Sequence, residues 1–196
     1  MYEPSFPNVY YANRDEFISL MEYGKVPDLM LSDILSLVQG TDFFEAPAST
    51  KYHGAFPGGL YQHSRAVMDE LDKWTRMGLI KWEREGSAMV VGFLHDFCKA
   101  NKYRTVGWKE IPTSENPIPV YDYEKQGAGF GGHGEDSVCK ILLSVPINRE
   151  EAMCIRWHMG AYEKDKWNEF EAAIKEFPNV LWTHHADMVA SKIGGV

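Results

Sequence analysis

Ser87-Ala-Met-Val-Val-Gly-Phe-Leu-His-Asp-Phe-Cys98 constrains the fold more than any other stretch: an apolar run interrupted by one His-Asp pair. A run of this length predicts a helix through the core, over about Glu85 to Ala100. A carboxylate buried there without a partner is costly, so Asp96 calls for a counter-charge or a metal. Successive helical side chains stand about 100° apart, so His95 and Asp96 flank one groove. Lys99 follows His95 by four positions and Asp96 by three, which returns it to the same side. The stretch alone admits two readings. Either Lys99 neutralises Asp96 while His95 is a hydrogen-bonded core histidine, or the pair binds an ion.

Six Trp, ten Tyr and ten Phe in 196 residues are enough for one domain with a large core. The formal net charge of −8 argues against autonomous nucleic-acid binding, which needs a basic face. It leaves room for a small phosphorylated substrate met by metal ions. Cys98, Cys139 and Cys154 are odd in number and form no C-x-x-C pair, so they read as small buried residues in a reducing, cytoplasmic setting. Met1 to Tyr10 has neither the basic nor the apolar part of a signal peptide. No apolar run reaches about 18 residues, so no membrane span is expected.

Around the central run the pattern is helical. Tyr2 to Asn13 reads as irregular, followed by a helix from Asn13 or Asp15 through Met21. Asp28 to Gln39 predicts a second helix, with Leu29, Ile34, Leu35 and Val38 inward and Gly40 as its stop. Thr41 to Gly59 is loop-like and carries His53. From Leu60 to about Met77 the residues Leu60, His63, Val67, Leu71 and Trp74 form one buried stripe. His63 on that stripe is either a core histidine donating to a carbonyl or a ligand. After the central helix, Tyr103 to Ile111 and Ile118 to Tyr123 lean to β-structure and predict an inserted hairpin with a Pro/Ser/Asn turn. Gly127, Gly129 and Gly132 spell G-x-G-x-x-G without a preceding apolar strand, so Gln126 to Gly134 reads as a loop delivering His133 to a helix over His133 to Ser144. Further helices are expected over Arg149 to Met159, Asp165 to Phe177 and Asn179 to Lys192. The fold class is all-α with a small inserted β-hairpin, as a single domain over 1–196: a core of about 51–192 and an N-terminal helical extension, 1–50, packed on it.

Of the seven histidines, His63, His95, His133, His158 and His184 fall at core-facing or end positions of these helices. Asp96 and Asp187 lie in apolar helical surroundings. Histidine plus carboxylate is the ligand set of Mn, Fe, Co, Ni or Zn, and a helical bundle can converge such residues from distant positions. The order His63, His95-Asp96, Asp187 resembles the HD-domain superfamily of metal-dependent phosphohydrolases, over roughly Lys51 to Lys192. Tyr52-His-Gly-Ala-Phe-Pro-Gly-Gly-Leu-Tyr-Gln-His63 is similar to the segment with that family's first ligand. Gly92-Phe-Leu-His-Asp-Phe-Cys-Lys99 resembles its HD-x-x-K helix, and His185-Ala-Asp187 its closing ligand motif. The look is closest to HD domains of 3'-5' exoribonucleases, without their nucleic-acid-binding domain. The Gly-Tyr-Pro element of cyclic di-GMP phosphodiesterases is missing.

The resemblance implies His63, His95, Asp96 and Asp187 as ligands of one metal, with His133 and His158 added in two-metal members, where Asp96 bridges. It implies one or two divalent ions (Mn, Fe, Ni, Co or Zn, with Mg an option) and hydrolysis of a nucleotide-like phosphomonoester or phosphodiester by a metal-activated water. Asp96 and Lys99 would be catalytic, Lys99 neutralising phosphate or leaving-group charge; its plainer role is a cation at a helix end. The alternative for His133 is the cap of its helix. His53, Lys99 and Arg104 are candidates for substrate contact, with Lys102 beside them, although exposed basic residues are common. His184 would orient Asp187 or a water on the metal, and for His185 a solvent-facing position is an equal alternative. The alternative is a non-catalytic metal- or nucleotide-binding sensor of the same fold. The oligomeric state is not legible.

Overall fold

The structure, a computed structural model, describes residues 7–110, 117–124, 129–161 and 166–196. The chain is mostly helical: α1 Pro7–Tyr23, α2 Asp28–Gln39, α3 Gly59–Arg76, α4 Ser87–Leu94, α5 His133–Leu142, α6 Arg149–Arg156, α7 Trp167–Glu176 and α8 Asn179–Val189. One antiparallel hairpin, β1 Tyr103–Lys109 with β2 Ile118–Tyr123, is inserted between α4 and α5. No helix among the described residues is long and apolar enough to cross a membrane.

Every residue of α4 is buried, which is why its sequence has no polar face. It packs against α3, α6 and α1. At Gly92 the α4 backbone runs against Met68 of α3 so closely that a Cβ would collide with the Met68 main chain. The missing side chain therefore sets how near the two helices come, and with it the approach of His63 on α3 to His95. α1 and α2 add Phe17, Met21, Met30, Ile34 and Val38 to the same apolar cluster. Phe17 meets Phe93 of α4 edge-on, with ring centroids 4.7 Å apart, a geometry favoured by aromatic quadrupoles.

α6 is fixed at its start by a buried carboxylate. Glu151 closes a capping box with Asn148: its main-chain N–H donates to Asn148 Oδ1 (2.8 Å), and the Asn148 N–H donates back to Glu151 Oε2 (2.9 Å). The same carboxylate accepts from Ser87 Oγ at 2.7 Å and from the Arg84 guanidinium, both at the head of α4. Next to it, Glu150 accepts from the Glu83 N–H at 2.9 Å and from Asn179 Nδ2, at the head of α8, at 2.8 Å. Three helices thus start from one polar knot, and their far ends converge on the candidate site. Removing one partner of a buried ion pair costs about 3–5 kcal/mol. Arg84 keeps partial access to water, so Glu151→Ala should cost about 3 kcal/mol. Urea unfolding should show this as a lower midpoint at unchanged slope.

Several elements differ from the sequence reading. The central helix ends at Leu94 rather than Ala100, and a 3-10 turn follows at Phe97–Lys99. The cause is local: Nδ1 of His95 lies 2.8 Å from the Gly92 carbonyl oxygen, the acceptor that Asp96 N–H would use in a continued helix. α6 ends at Arg156 rather than Met159, and His158 Nδ1 lies likewise 2.7 Å from the Ile155 oxygen. The N-terminal helix starts at Pro7, where irregular chain was expected over Tyr2 to Asn13; proline suits a first helical turn. Leu29, expected inward, is 85% exposed, because Met30, Ile34 and Val38 set the buried phase of α2. α7 begins at Trp167. Asp165, the hairpin turn, Ile111, Gln126 and Gly127 lie outside the described residues.

Candidate metal centre

Three helix ends and one helix face supply the cluster. His63 comes from α3, His95 and Asp96 from the break after α4, His158 from just past α6, and Asp187 from α8. His63, His95 and His158 are wholly buried, and Asp96 and Asp187 nearly so. His63 Nε2 lies 3.1 Å from Asp187 Oδ1, 3.2 Å from His95 Nε2 and 3.6 Å from Asp96 Oδ2. His95 Nε2 lies 3.5 Å from Asp96 Oδ2 and 4.0 Å from Asp187 Oδ1. Two donors each about 2.1 Å from one ion are separated by roughly 3.0 Å at right angles and 3.4 Å in a tetrahedron. His63, His95 and Asp96 stand at the spacing of ligands around a common cation, with Asp187 beside His63 at the edge of the group.

The tautomers point the same way. His63 Nδ1 lies 2.9 Å from the main-chain oxygen of Val196. With the Gly92 and Ile155 contacts, all three imidazoles place Nδ1 on a main-chain oxygen. An oxygen there accepts from N–H, so the lone pair is on Nε2 in each ring, the arrangement by which metal-binding histidines are oriented. His158 Nε2 and Asp96 Oδ1, 3.4 Å apart and buried, have no hydrogen-bond partner. Both are acceptors once His158 Nδ1 donates, and a shared cation satisfies both. The buried group His63, His95 and Asp96, and the group Asp96, Cys98 and His133, of which His133 is exposed, could each hold a metal ion.

Electrostatics keep the carboxylates ionised. Burial pushes the Asp96 carboxyl up, but the charge of Lys99 beside it leads the effects that outweigh burial and hold it well below the usual range. Lys99 Nζ is 2.7 Å from Asp96 Oδ2. Burial opposes the Lys99 charge, yet Asp96 raises its pKa above the ordinary lysine value. For Asp187, burial again opposes ionisation, and the surrounding imidazoles, His63 first with His95 and His158, bring it down to about 2. Desolvation lowers His95, whereas for His158 the Asp96 carboxylate outweighs desolvation and raises it.

Other residues singled out in the sequence are placed differently. His133 opens α5 with an exposed edge, and its Nδ1 is 3.4 Å from Cys98 Sγ. It lines a cavity of about 390 Å³ with Glu135, Arg156, Trp157, Met159 and Lys166. His53 is half-buried against His63, ring centroids 5.0 Å apart, and burial followed by the charges of His63 and Lys99 lowers it to about 4. His184 does not orient Asp187; its Nδ1 lies 2.7 Å from the His158 main-chain oxygen, so it supports the segment bearing His158. Arg104 faces Asp122 and Glu124 on the hairpin, at 3.9 and 3.6 Å, rather than the cluster. The β2 strand brings these two acids opposite Arg104 and its side chain stays largely in water. His185 is exposed.

Cys98 was missed by sequence reasoning, which took it for a small core residue. Its signal was its position two residues after Asp96, in the turn that carries the ligands. A larger cleft, about 610 Å³, lies among Tyr23, Lys25, Asp72, Arg76, Trp82 and Glu85. Lys25 pairs with Glu85 and Arg76 with Asp72 there, and it holds none of the cluster residues. Comparison with known proteins finds no matching family model, no matching curated protein and no matching solved structure.

Proposed function

We propose that this chain is a metal-dependent phosphohydrolase of the HD type, acting on a nucleotide-like phosphomonoester or phosphodiester in the cytoplasm. The observation that carries the reading is the buried convergence of His63, His95 and Asp96 at ligand spacing, with Asp187 3.1 Å from His63 and the Nδ1 of both histidines on a main-chain oxygen. These four residues would hold one divalent ion, and Asp96 with His158 and His133 would serve a second. When bound, such ions supply Lewis acidity toward a phosphoryl oxygen and an acidified water. The protein's part is positional and electrostatic. Nδ1 contacts fix the rings, Lys99 keeps Asp96 ionised and offers a cation beside the cluster, and the imidazoles of His63, His95 and His158 are buried. His53, held at about 4, is neutral near pH 7 and can exchange hydrogen bonds with a substrate oxygen without adding charge. Arg156 and Lys166 stand at the cavity beside His133, each paired with the Glu135 carboxylate that shares its lining, at 3.6 and 3.4 Å.

Elemental analysis and a phosphoester panel with Mn, Fe, Co, Ni, Zn or Mg supplied test the proposal. About one or two ions per chain are expected, together with release of phosphate or nitrophenol. Failure to retain any ion after reconstitution overturns it. Metal retention with tight nucleotide binding and no turnover over the panel would turn the reading to the sensor module.

A further inference from the structure

Beside the four-ligand cluster a second donor group includes a sulfur. Asp96, Cys98 and His133 offer a carboxylate oxygen, Sγ and a ring nitrogen, all within 4.8 Å of one another. The thiol is held in place from the backbone outward. Cys98 N–H donates to Ser137 Oγ at 3.0 Å, and Lys140 Nζ donates to the Cys98 carbonyl at 3.1 Å. Both partners lie on α5, the helix that His133 opens. One helix therefore presents the imidazole and clamps the residue that presents the sulfur. The thiol is 3% exposed and faces the site from the 3-10 turn. An independent observation points to a ligand for Asp96, the member shared with the neighbouring cluster: its Oδ1 is buried and has no hydrogen-bond partner.

We propose that Cys98 is a thiolate ligand of a second cation, shared with Asp96 and His133. The inference rests on the metal reading of the neighbouring cluster and extends it to the identity of the second ion. A sulfur donor selects thiophilic ions such as Zn, Co or Fe(II) over Mg or Mn, whereas the His/Asp cluster alone does not make that choice. Binding forms a sulfur–metal bond and breaks the S–H bond, and the proton leaves to solvent. Carboxylate and thiolate then balance the divalent charge.

Cobalt(II) titration of the metal-free, reduced chain tests this, read by absorption. The expected spectrum has visible ligand-field bands and a near-ultraviolet sulfur-to-cobalt charge-transfer band. Cys98→Ser should remove the charge-transfer band and keep the ligand-field bands, while Cys139→Ser leaves both. If Cys98→Ser does not fold, the chain with Cys139→Ser and Cys154→Ser gives the same answer, because Cys98 is then the sole cysteine. Its band must persist. Ligand-field bands without charge transfer, or a charge-transfer band that survives Cys98→Ser, overturn the thiolate while the first metal cluster stands. Absence of any cobalt spectrum overturns the metal reading and this inference with it.

Discussion

Asp96→Asn should empty the centre of metal and abolish hydrolysis. The substitution keeps shape and volume, so any effect comes from charge. Asp96 is the group common to both donor sets: Oδ2 faces His63 and His95, and Oδ1 faces His158. Losing its charge removes a ligand and also leaves the Lys99 ammonium without its 2.7 Å partner, beside the place where a cation would be held. Outer partners of metal ligands alone are worth about 10–100-fold in affinity or activity. Loss of a ligand shared by two sites should exceed that, about 10³-fold or more in turnover. An unpaired, largely buried lysine also lowers stability, so circular dichroism and melting must accompany the metal analysis. The double substitution Asp96→Asn, Lys99→Met removes the orphaned charge and should recover stability but not metal. An Asp96→Asn chain that still holds metal and still hydrolyses phosphoesters would remove Asp96 from its assigned role.

The candidate ligands were visible in sequence because each breaks a local rule. His95-Asp96 interrupts an apolar run, and His63 falls on the buried stripe of an amphipathic helix; a folded chain keeps such polar groups only where they have partners. The hairpin was legible from its β-branched and aromatic strands, as was α2 from its apolar spacing and the Gly40 stop. What escaped depends on geometry that periodicity does not carry. The helix ends at His95 and His158 are set by imidazoles against their own i−3 carbonyls, a choice of rotamer rather than propensity. Without those breaks Asp96 and His158 would continue along their helix surfaces, and their unpartnered atoms would not face each other. Cys98 escaped because a cysteine in an apolar run reads as packing. Its neighbour His133 lies 35 residues on, and only the docking of α5 on the 3-10 turn joins them. Arg104 was named for its nearness to Lys99 in sequence, yet strand pairing turns it toward Asp122 and Glu124.

Lys99→Met separates metal binding from transition-state stabilisation. Methionine retains much of the aliphatic stem and its packing but carries no charge. In the ground state Lys99 is an ion-pair partner of Asp96, and that pairing opposes a cation, since both compete for Oδ2. Its removal should therefore leave metal content equal or higher, even though Asp96 loses a counter-charge. If the ammonium also meets charge developing on a phosphoryl or leaving oxygen, kcat should fall about 10²–10³-fold, the usual cost of losing one such electrostatic contact. KM should move less, because the interaction strengthens only as charge develops. Two other outcomes carry distinct meanings. Metal and activity lost together would make Lys99 a residue that orients Asp96, and full activity with full metal would reduce it to a structural cation at the end of α4. Steady-state kinetics and metal analysis on the same preparation distinguish all three, since only a group acting on substrate lowers kcat while the ions remain in place.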